Sequence, residues 1–361
     1  FLSAPATEQT REAYMAALFA EIGGRAKDYS DRTVTSIFIG GGTPSLLSGE
    51  QIGQLMDRIR EQFAMAQDAE ITMEVNPGTV SAEKLRNFYT AGINRLSIGM
   101  QSAQAEELKN LGRIHDFEGF CQVYREAVEA GFTNINVDIM SGLPGQTLAS
   151  YRDTVLHLEP MPQHISAYSL IVEEGTPFAA MAERGELPLP EEETERAMYE
   201  ETIEVLAKYG FHRYEISNYA RDGYECRHNV GYWIRRDYLG FGIGAASLID
   251  NVRFQNEKSL GAYLAHPLES REEEQTLTVQ ERMEETMFLG LRLTRGVSCV
   301  DFVEQYGRTV EEVYGEVIAR NVADGLLTVT ERKENQKKDR FLALTKRGLD
   351  LSNYVMAQFL F

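Results

Sequence analysis

Four polar residues stand where burial should exclude or trap them. Glu74, Gln101 and Asp138 each lie inside or at the end of an apolar, β-rich run, and Arg113 follows Gln101 on the next loop or helix. An acid or amide in such a run is costly to bury unless a partner satisfies it. Any one of them could belong to an internal hydrogen-bond network. Facing one mouth as a set, they suit a polar ligand carrying ribose hydroxyls, a carboxylate and an ammonium group. Ahead of them, Ile37-Phe38-Ile39 runs into Gly40-Gly41-Gly42-Thr43-Pro44-Ser45. Consecutive glycines after a strand let the chain turn sharply and bring backbone N–H groups close to a ligand. No Gly-Lys-Ser/Thr follows, so this is not a nucleotide P-loop. A second group differs in kind: Cys226-Arg227-His228-Asn229-Val230-Gly231-Tyr232-Trp233 sets an imidazole beside two aromatic rings, one of them the only tryptophan. Taken alone, a lone histidine among aromatic rings is more often a packed structural residue than a ligand.

These residues need strands to carry them. Apolar β-rich runs at Val34–Ile39, Ile71–Val75, Arg95–Ile98, Ile135–Ile139 and His164–Leu170 alternate with helix-patterned segments at Glu50–Phe63, Ala82–Ala91, Gly119–Ala130 and Leu148–Leu158. Repeated β-α connectivity with near-continuously apolar strands predicts a parallel sheet covered by helices, an open doubly wound sheet or a barrel. Ligands of barrels bind at the carboxyl ends of the strands, where Gly41, Glu74, Gln101 and Asp138 fall. Gly240–Ser247 lacks the spacing of a dinucleotide fingerprint and reads as close backbone packing. The Glu-rich stretch Ser270–Gln275 reads as an exposed linker, and Val279–Leu293 as an amphipathic helix with Met283, Met287, Phe288 and Leu291 on one face. From residue 294 two helices, a strand, the charged turn Glu331–Arg340 and a further strand suggest a small winged-helix-like α+β module, read as a lid or packing domain. The division is 1–215, 216–293 and 294–361.

Composition narrows the partners. With 55 acidic against 36 basic residues in 361, the net charge of −19 opposes a general nucleic-acid footprint. No apolar run of about 18 residues or more predicts a membrane span, and Phe1-Leu2-Ser3 opens no signal peptide. Cys121, Cys226 and Cys299 are too far apart for a metal or disulfide pattern, which suits a reducing compartment, and the chain reads as cytoplasmic.

Five segments together resemble a known family. Gly40–Ser45, Glu74-Val75-Asn76-Pro77, Asn94–Gln101, Leu111-Gly112-Arg113-Ile114-His115 and Asp138–Gln146 are similar, in order and spacing, to the radical S-adenosylmethionine proteins related to oxygen-independent coproporphyrinogen III oxidase. His228-Asn229-x-x-Tyr232-Trp233 resembles the haem-binding motif of the HemW-type haem chaperones in that family. The resemblance implies a partial (β/α)6 TIM-like barrel with S-adenosylmethionine and a [4Fe–4S] cluster at its mouth. It implies that Gly41, Gly42 and Thr43 line the methionine end of that ligand, that Glu74, Gln101, Arg113 and Asp138 are among its contacts, and that Ile171 and Ala246 lie beside the adenine. It further implies haem held through His228, with Asn229, Tyr232 and Trp233 around it, and recipient haem proteins as partners; a homodimer is compatible. The family's Cys-x3-Cys-x2-Cys is absent from this sequence, and Phe1-Leu2-Ser3 looks like the residues that follow it, so the first strand and the cluster loop are expected upstream. Two activities stay open: haem carriage, and oxidative decarboxylation of coproporphyrinogen III.

Overall fold

The computed structural model describes residues 7–158, 162–269, 271–334 and 337–360; Phe1-Leu2-Ser3, and the expectation attached to it, lie outside them. Helix α1 (Glu8–Arg25) leads into β1 (Thr33–Ile39). Then follow α2 (Gly49–Gln62), β2 (Ala64–Val75), α3 (Ala82–Thr90), β3 (Arg95–Gln101), α4 (Ala105–Asn110), α5 (Phe117–Ala130), β4 (Ile135–Ser141), α6 (Leu148–Leu156) and β5 (His164–Ser169). The covering helices start at polar caps: Ser48 with Gln51 for α2, Asp116 for α5, Thr147 with Ser150 for α6. Each cap satisfies N–H groups that the first turn leaves without a partner. Helix α2 buries Ile52, Leu55, Met56 and Ile59, and α5 buries Phe120, Val123, Tyr124 and Ala127, the one-sided stripe of a helix laid on a sheet.

Strands β1 to β5 pair in parallel and in sequence order. After α7 (Pro177–Glu183) and α8 (Glu192–Lys208), two short strands, β6 (His212–Arg213) and β7 (Asn218–Ala220), join antiparallel to give the order β1-β2-β3-β4-β5-β7-β6. The result is a curled half-barrel whose described residues supply five parallel strands.

The strands are not apolar on both faces, as their sequence suggests. Outward residues such as Ile71, Met73, Leu96, Ile98, Val137 and Ile139 join the main core under the helices. The alternate positions Thr72, Arg95, Ser97, Asn136 and His164 are polar and nevertheless buried. Period-2 alternation therefore separates a dry outer face from a polar inner one.

The chain then forms α9 (Arg227–Trp233) and a small antiparallel sheet of β8 (Ala246–Ile249), β9 (Val252–Asn256) and, after α10 (Leu260–Ala265), β10 (Arg271–Thr276). The expected linker is thus a strand over residues 271–275: its Glu-rich side chains are exposed, but its backbone pairs with β9. This sheet is tied to α1 through buried Glu21, which accepts from Tyr263 Oη and Asn256 Nδ2 at 2.7 Å and from Gly242 N at 2.8 Å. A Cβ at Gly242 would meet the Tyr14 hydroxyl at 2.3 Å, so the Gly240–Ser247 stretch is close packing.

Last come α11 (Val279–Gly290), β11 (Val297–Ser298), α12 (Cys299–Tyr306), α13 (Val310–Ala323), β12 (Leu327–Glu334), β13 (Lys337–Leu344), α14 (Lys346–Asp350) and α15 (Ser352–Ala357). Helices and a three-stranded antiparallel sheet surround a second core that includes Met283, Met287, Phe302, Leu342 and Phe359, in a winged-helix arrangement. The expected charged turn is mostly ladder, because opposite charges sit across the hairpin at Glu331 with Arg340 and Arg332 with Asp339. Among the described residues no helix is long and apolar enough to cross a membrane.

Candidate functional site

At the carboxyl ends of β1 to β5 the loops leave several groups short of partners. Gly41 has φ +106° and open space where a Cβ would stand. Its N–H donates to Glu74 Oε2 at 3.1 Å. Burial, with Asp138 nearby, pushes the Glu74 carboxyl up to about 7. Gln101 is buried with φ +67°, a left-handed backbone that a non-glycine residue adopts at a cost of about 1–3 kcal/mol. Its amide fills the room left by Gly99, whose Cβ would lie 2.6 Å from Gln101 Nε2, and its Oε1 accepts from Tyr168 Oη at 3.2 Å. The Arg113 guanidinium is within electrostatic reach of Tyr168 and has no hydrogen-bond or ion-pair partner among the described residues. The mouth therefore combines a carboxyl that is half protonated near neutrality, an unpaired guanidinium, and an open glycine turn at Gly41, Gly42 and Thr43. Such a set fits a zwitterion with hydroxyls. Ile171 lies just beyond β5 and is 74% exposed. Ala246 begins β8 in the other sheet, and no described hydrogen bond or ring contact joins it to the mouth.

Below the mouth runs a buried polar file whose middle members, Asn136, His164 and Tyr214, no motif signals. Asp138 accepts from Asn136 Nδ2 at 2.7 Å and from Ser97 Oγ at 3.3 Å. Burial, only partly offset by these bonds and by Arg95, raises its carboxyl above the usual range. Asn136 Oδ1 meets His164 Nδ1 at 2.6 Å, His164 Nε2 meets Tyr214 Oη at 2.9 Å, and Tyr214 Oη accepts from Cys226 N at 3.3 Å. Burial holds His164 neutral, well below the usual imidazole range. The file thus reaches from Asp138 to the start of α9.

Helix α9 carries the second group. His228 Nδ1 lies 3.0 Å from Ser36 Oγ and Nε2 lies 3.1 Å from Tyr232 Oη. The ring stacks on Phe38 with centroids 5.2 Å apart, and the edge of Tyr232 meets it at 4.9 Å. Burial pulls the imidazole below its usual pKa, so it is neutral at pH 7. Both ring nitrogens are engaged by hydroxyls of the chain itself, and ligation of iron through Nε2 requires Tyr232 to yield. One face of Trp233 is covered by Arg292, 4.4 Å from its centroid. Asn229 is half-buried on the same turn. Cys226 is fully buried, donates to Glu70 Oε1 at 3.5 Å and is pushed up to about 11, so it stays a thiol. Glu70, which sequence reasoning passed over, also accepts the backbone N–H groups of Arg227 and His228. The alternation Glu70-x-Thr72-x-Glu74 was its only signal.

No group of three or more His, Cys, Asp or Glu that could hold a metal occurs among the described residues. The three cysteines belong to α5, the start of α9 and α12. The thiolate set of a [4Fe–4S] cluster is therefore not provided by these residues.

A half-barrel with a polar interior and a glycine turn at the first described strand defines the class. The radical SAM superfamily model matches residues 5–158, and the HemN C-terminal domain model matches residues 277–351. Proteins named heme chaperone HemW are similar along nearly the whole chain. The one from Bacillus subtilis (strain 168) is 38% identical over 98% of this chain and 92% of its own length; the one from Lactococcus lactis subsp. lactis (strain IL1403) is 35% identical over 98% and 91%. The solved structure of coproporphyrinogen III oxidase (HemN) from Escherichia coli, described as a radical SAM enzyme, superposes with a TM-score of 0.82 at 26% identity, over 98% of this chain and 84% of that one. The chain belongs to the radical SAM family, in its HemW-type branch.

Proposed function

We propose that this protein binds haem and delivers it to recipient haem proteins, with S-adenosylmethionine held at the barrel mouth. The observation that carries the reading is full-length likeness, at 35–38% identity, to proteins named heme chaperones, against 26% for the oxidase structure. In this reading Glu74 and Arg113 take the ammonium and carboxylate of S-adenosylmethionine, and Gly41, Gly42 and Thr43 line its methionine end. Gln101 and Asp138 hold its hydroxyls, with Ile171 and Ala246 toward the adenine. His228 Nε2 is the ligand to haem iron once Tyr232 yields, and Asn229, Tyr232 and Trp233 border the porphyrin. Bound at the mouth, S-adenosylmethionine supplies the family's radical chemistry when a reduced cluster accompanies it. The part played by the described residues is to bind and orient that ligand, since they hold no cluster thiolates. The division 1–215, 216–293 and 294–361 is one of function: scaffold, haem-binding extension, and lid. Packing crosses it, since β7 completes the large sheet and α11 belongs to the second core.

The HemN structure supports a second reading, oxidative decarboxylation of coproporphyrinogen III. Anaerobic incubation of the protein, carrying a Cys-x3-Cys-x2-Cys segment upstream and a reconstituted cluster, with coproporphyrinogen III, S-adenosylmethionine and a reductant separates the two, run beside a gel-filtration assay for retained haem. The expected result is co-elution of haem and no vinyl product. Protoporphyrinogen formation would overturn the chaperone reading.

A further inference from the structure

The inference rests on the haem-binding reading of His228 and concerns what holds that residue. Glu70 is 7% exposed and lies directly across the β1–β2 ladder from Ser36. Its carboxylate collects three donors from one turn of chain: Arg227 N at 3.1 Å, His228 N at 3.0 Å and Cys226 Sγ at 3.5 Å. Ser36 Oγ, from the facing strand, reaches His228 Nδ1 at 3.0 Å. Two cross-strand neighbours thus grip one residue twice, by its backbone and by its ring. The guanidinium of Arg227 makes a separate, exposed contact with Asp68 at 2.7 Å and with the Thr35 carbonyl at 3.2 Å.

An uncharged acceptor such as Ser, Thr or Asn suffices to cap a helix. Here a full carboxylate does it, buried, and among the described residues no Lys, Arg or His forms an ion pair with it. Burying an unpaired charge is costly. The carboxylate acts on the imidazole only through space, raising its basicity against burial and Arg95, which lower it, while Ser36 supplies the outer hydrogen bond to Nδ1 that orients a metal-ligating histidine.

We propose that Glu70 is the positioning residue for His228 as a haem ligand: it fixes the first turn of α9 so that Nε2 meets the iron, and its charge strengthens that nitrogen as a donor. With the proton on Nδ1, Ser36 Oγ accepts it and Nε2 is left to meet the iron.

The test is a ferric haem titration of the whole chain, read in the Soret band, for wild type, Glu70→Gln, Glu70→Asp and Arg227→Ala, with the thermal midpoint of each. Glu70→Gln keeps an acceptor and removes the charge. It is expected to weaken haem binding roughly tenfold and to lose the histidine-ligated spectrum, which added imidazole restores. Glu70→Asp, which keeps the charge, is expected to retain the spectrum, and so is Arg227→Ala, which removes only the exposed contact with Asp68 and Thr35. A Glu70→Gln protein with wild-type spectrum and affinity would overturn the proposal, as would Arg227→Ala giving the same loss. If Glu70→Gln does not fold, the contrast of Glu70→Asp with Ser36→Ala decides: the proposal expects the spectrum kept in the first and weakened in the second, and the reverse overturns it. Wild type that binds no haem, or binds it identically after His228→Ala, would sink the haem reading itself, a result distinct from failure of the Glu70 assignment alone.

Discussion

The barrel mouth and helix α9 are built on opposite plans. At the mouth, groups are left wanting: Arg113 has no hydrogen-bond or ion-pair partner among the described residues, burial raises Glu74 to about 7, and Gln101 holds a left-handed backbone. On α9 both ring nitrogens and the backbone N–H of His228 are engaged, the ring nitrogens by Ser36 and Tyr232 and the N–H by Glu70. A ligand entering the mouth finds its cost already met in folding, whereas a ligand of His228 must exchange one bond for another. The mouth is preorganised, and α9 is latched.

The largest effect expected from breaking this contrast lies in the file that separates the two regions. Asn136→Leu strips partners from Asp138 and His164 at once and leaves buried polar groups unpaired. Loss of about 3 kcal/mol or more is expected in urea unfolding; a change under about 1 kcal/mol would mean the file is wet and replaceable.

The mouth makes a prediction in pH. Because the folded Glu74 carboxyl titrates near 7 and an unfolded one near about 4.3, the native state holds a proton that the unfolded state has released between those values. This residue's contribution to stability therefore falls as pH rises from about 4.5 to 7. Glu74→Gln should raise the thermal midpoint relative to wild type at pH 8 and change it little at pH 4.5. A cationic ligand pairs with the ionised form, so S-adenosylmethionine affinity should respond to pH differently in wild type, gaining relative to the variant as pH rises through 7. Calorimetric titration at pH 6 and pH 8 checks this.

The smallest effect sharpens the comparison at the latch. Tyr232→Phe removes the hydroxyl 3.1 Å from His228 Nε2. One neutral hydrogen bond is worth about 1 kcal/mol, so haem should bind roughly fivefold more tightly to the variant in a Soret titration. Weaker binding would show that the phenol supports the ligand and does not compete with it.

The parallel strands and the strand-end residues were legible because a polar residue closing an apolar run is conspicuous: Glu74, Gln101 and Asp138 meet near one mouth. The interior was not. Asn136 stands between Ile135 and Val137 and His164 opens β5, so each reads as a single blemish in a buried strand. Only pairing of neighbouring strands turns those blemishes into a connected file. Helix α8 escaped attention because its acidic surface outweighs a short buried stripe of Met198, Thr202, Val205 and Leu206. Strand β10 escaped because its side chains are exposed and polar, and only its backbone pairing marks it. Glu70 shows the limit most clearly, since its partners are more than 150 residues away in sequence.

The central claim is that haem binds at His228 on a radical SAM scaffold. Its most direct test is an anaerobic haem titration followed in the Soret band, comparing the wild-type chain with His228→Ala. Saturable binding that weakens by roughly 100-fold in the variant, about 2.7 kcal/mol, is the predicted result. Equal binding by both proteins, or none by either, would contradict it.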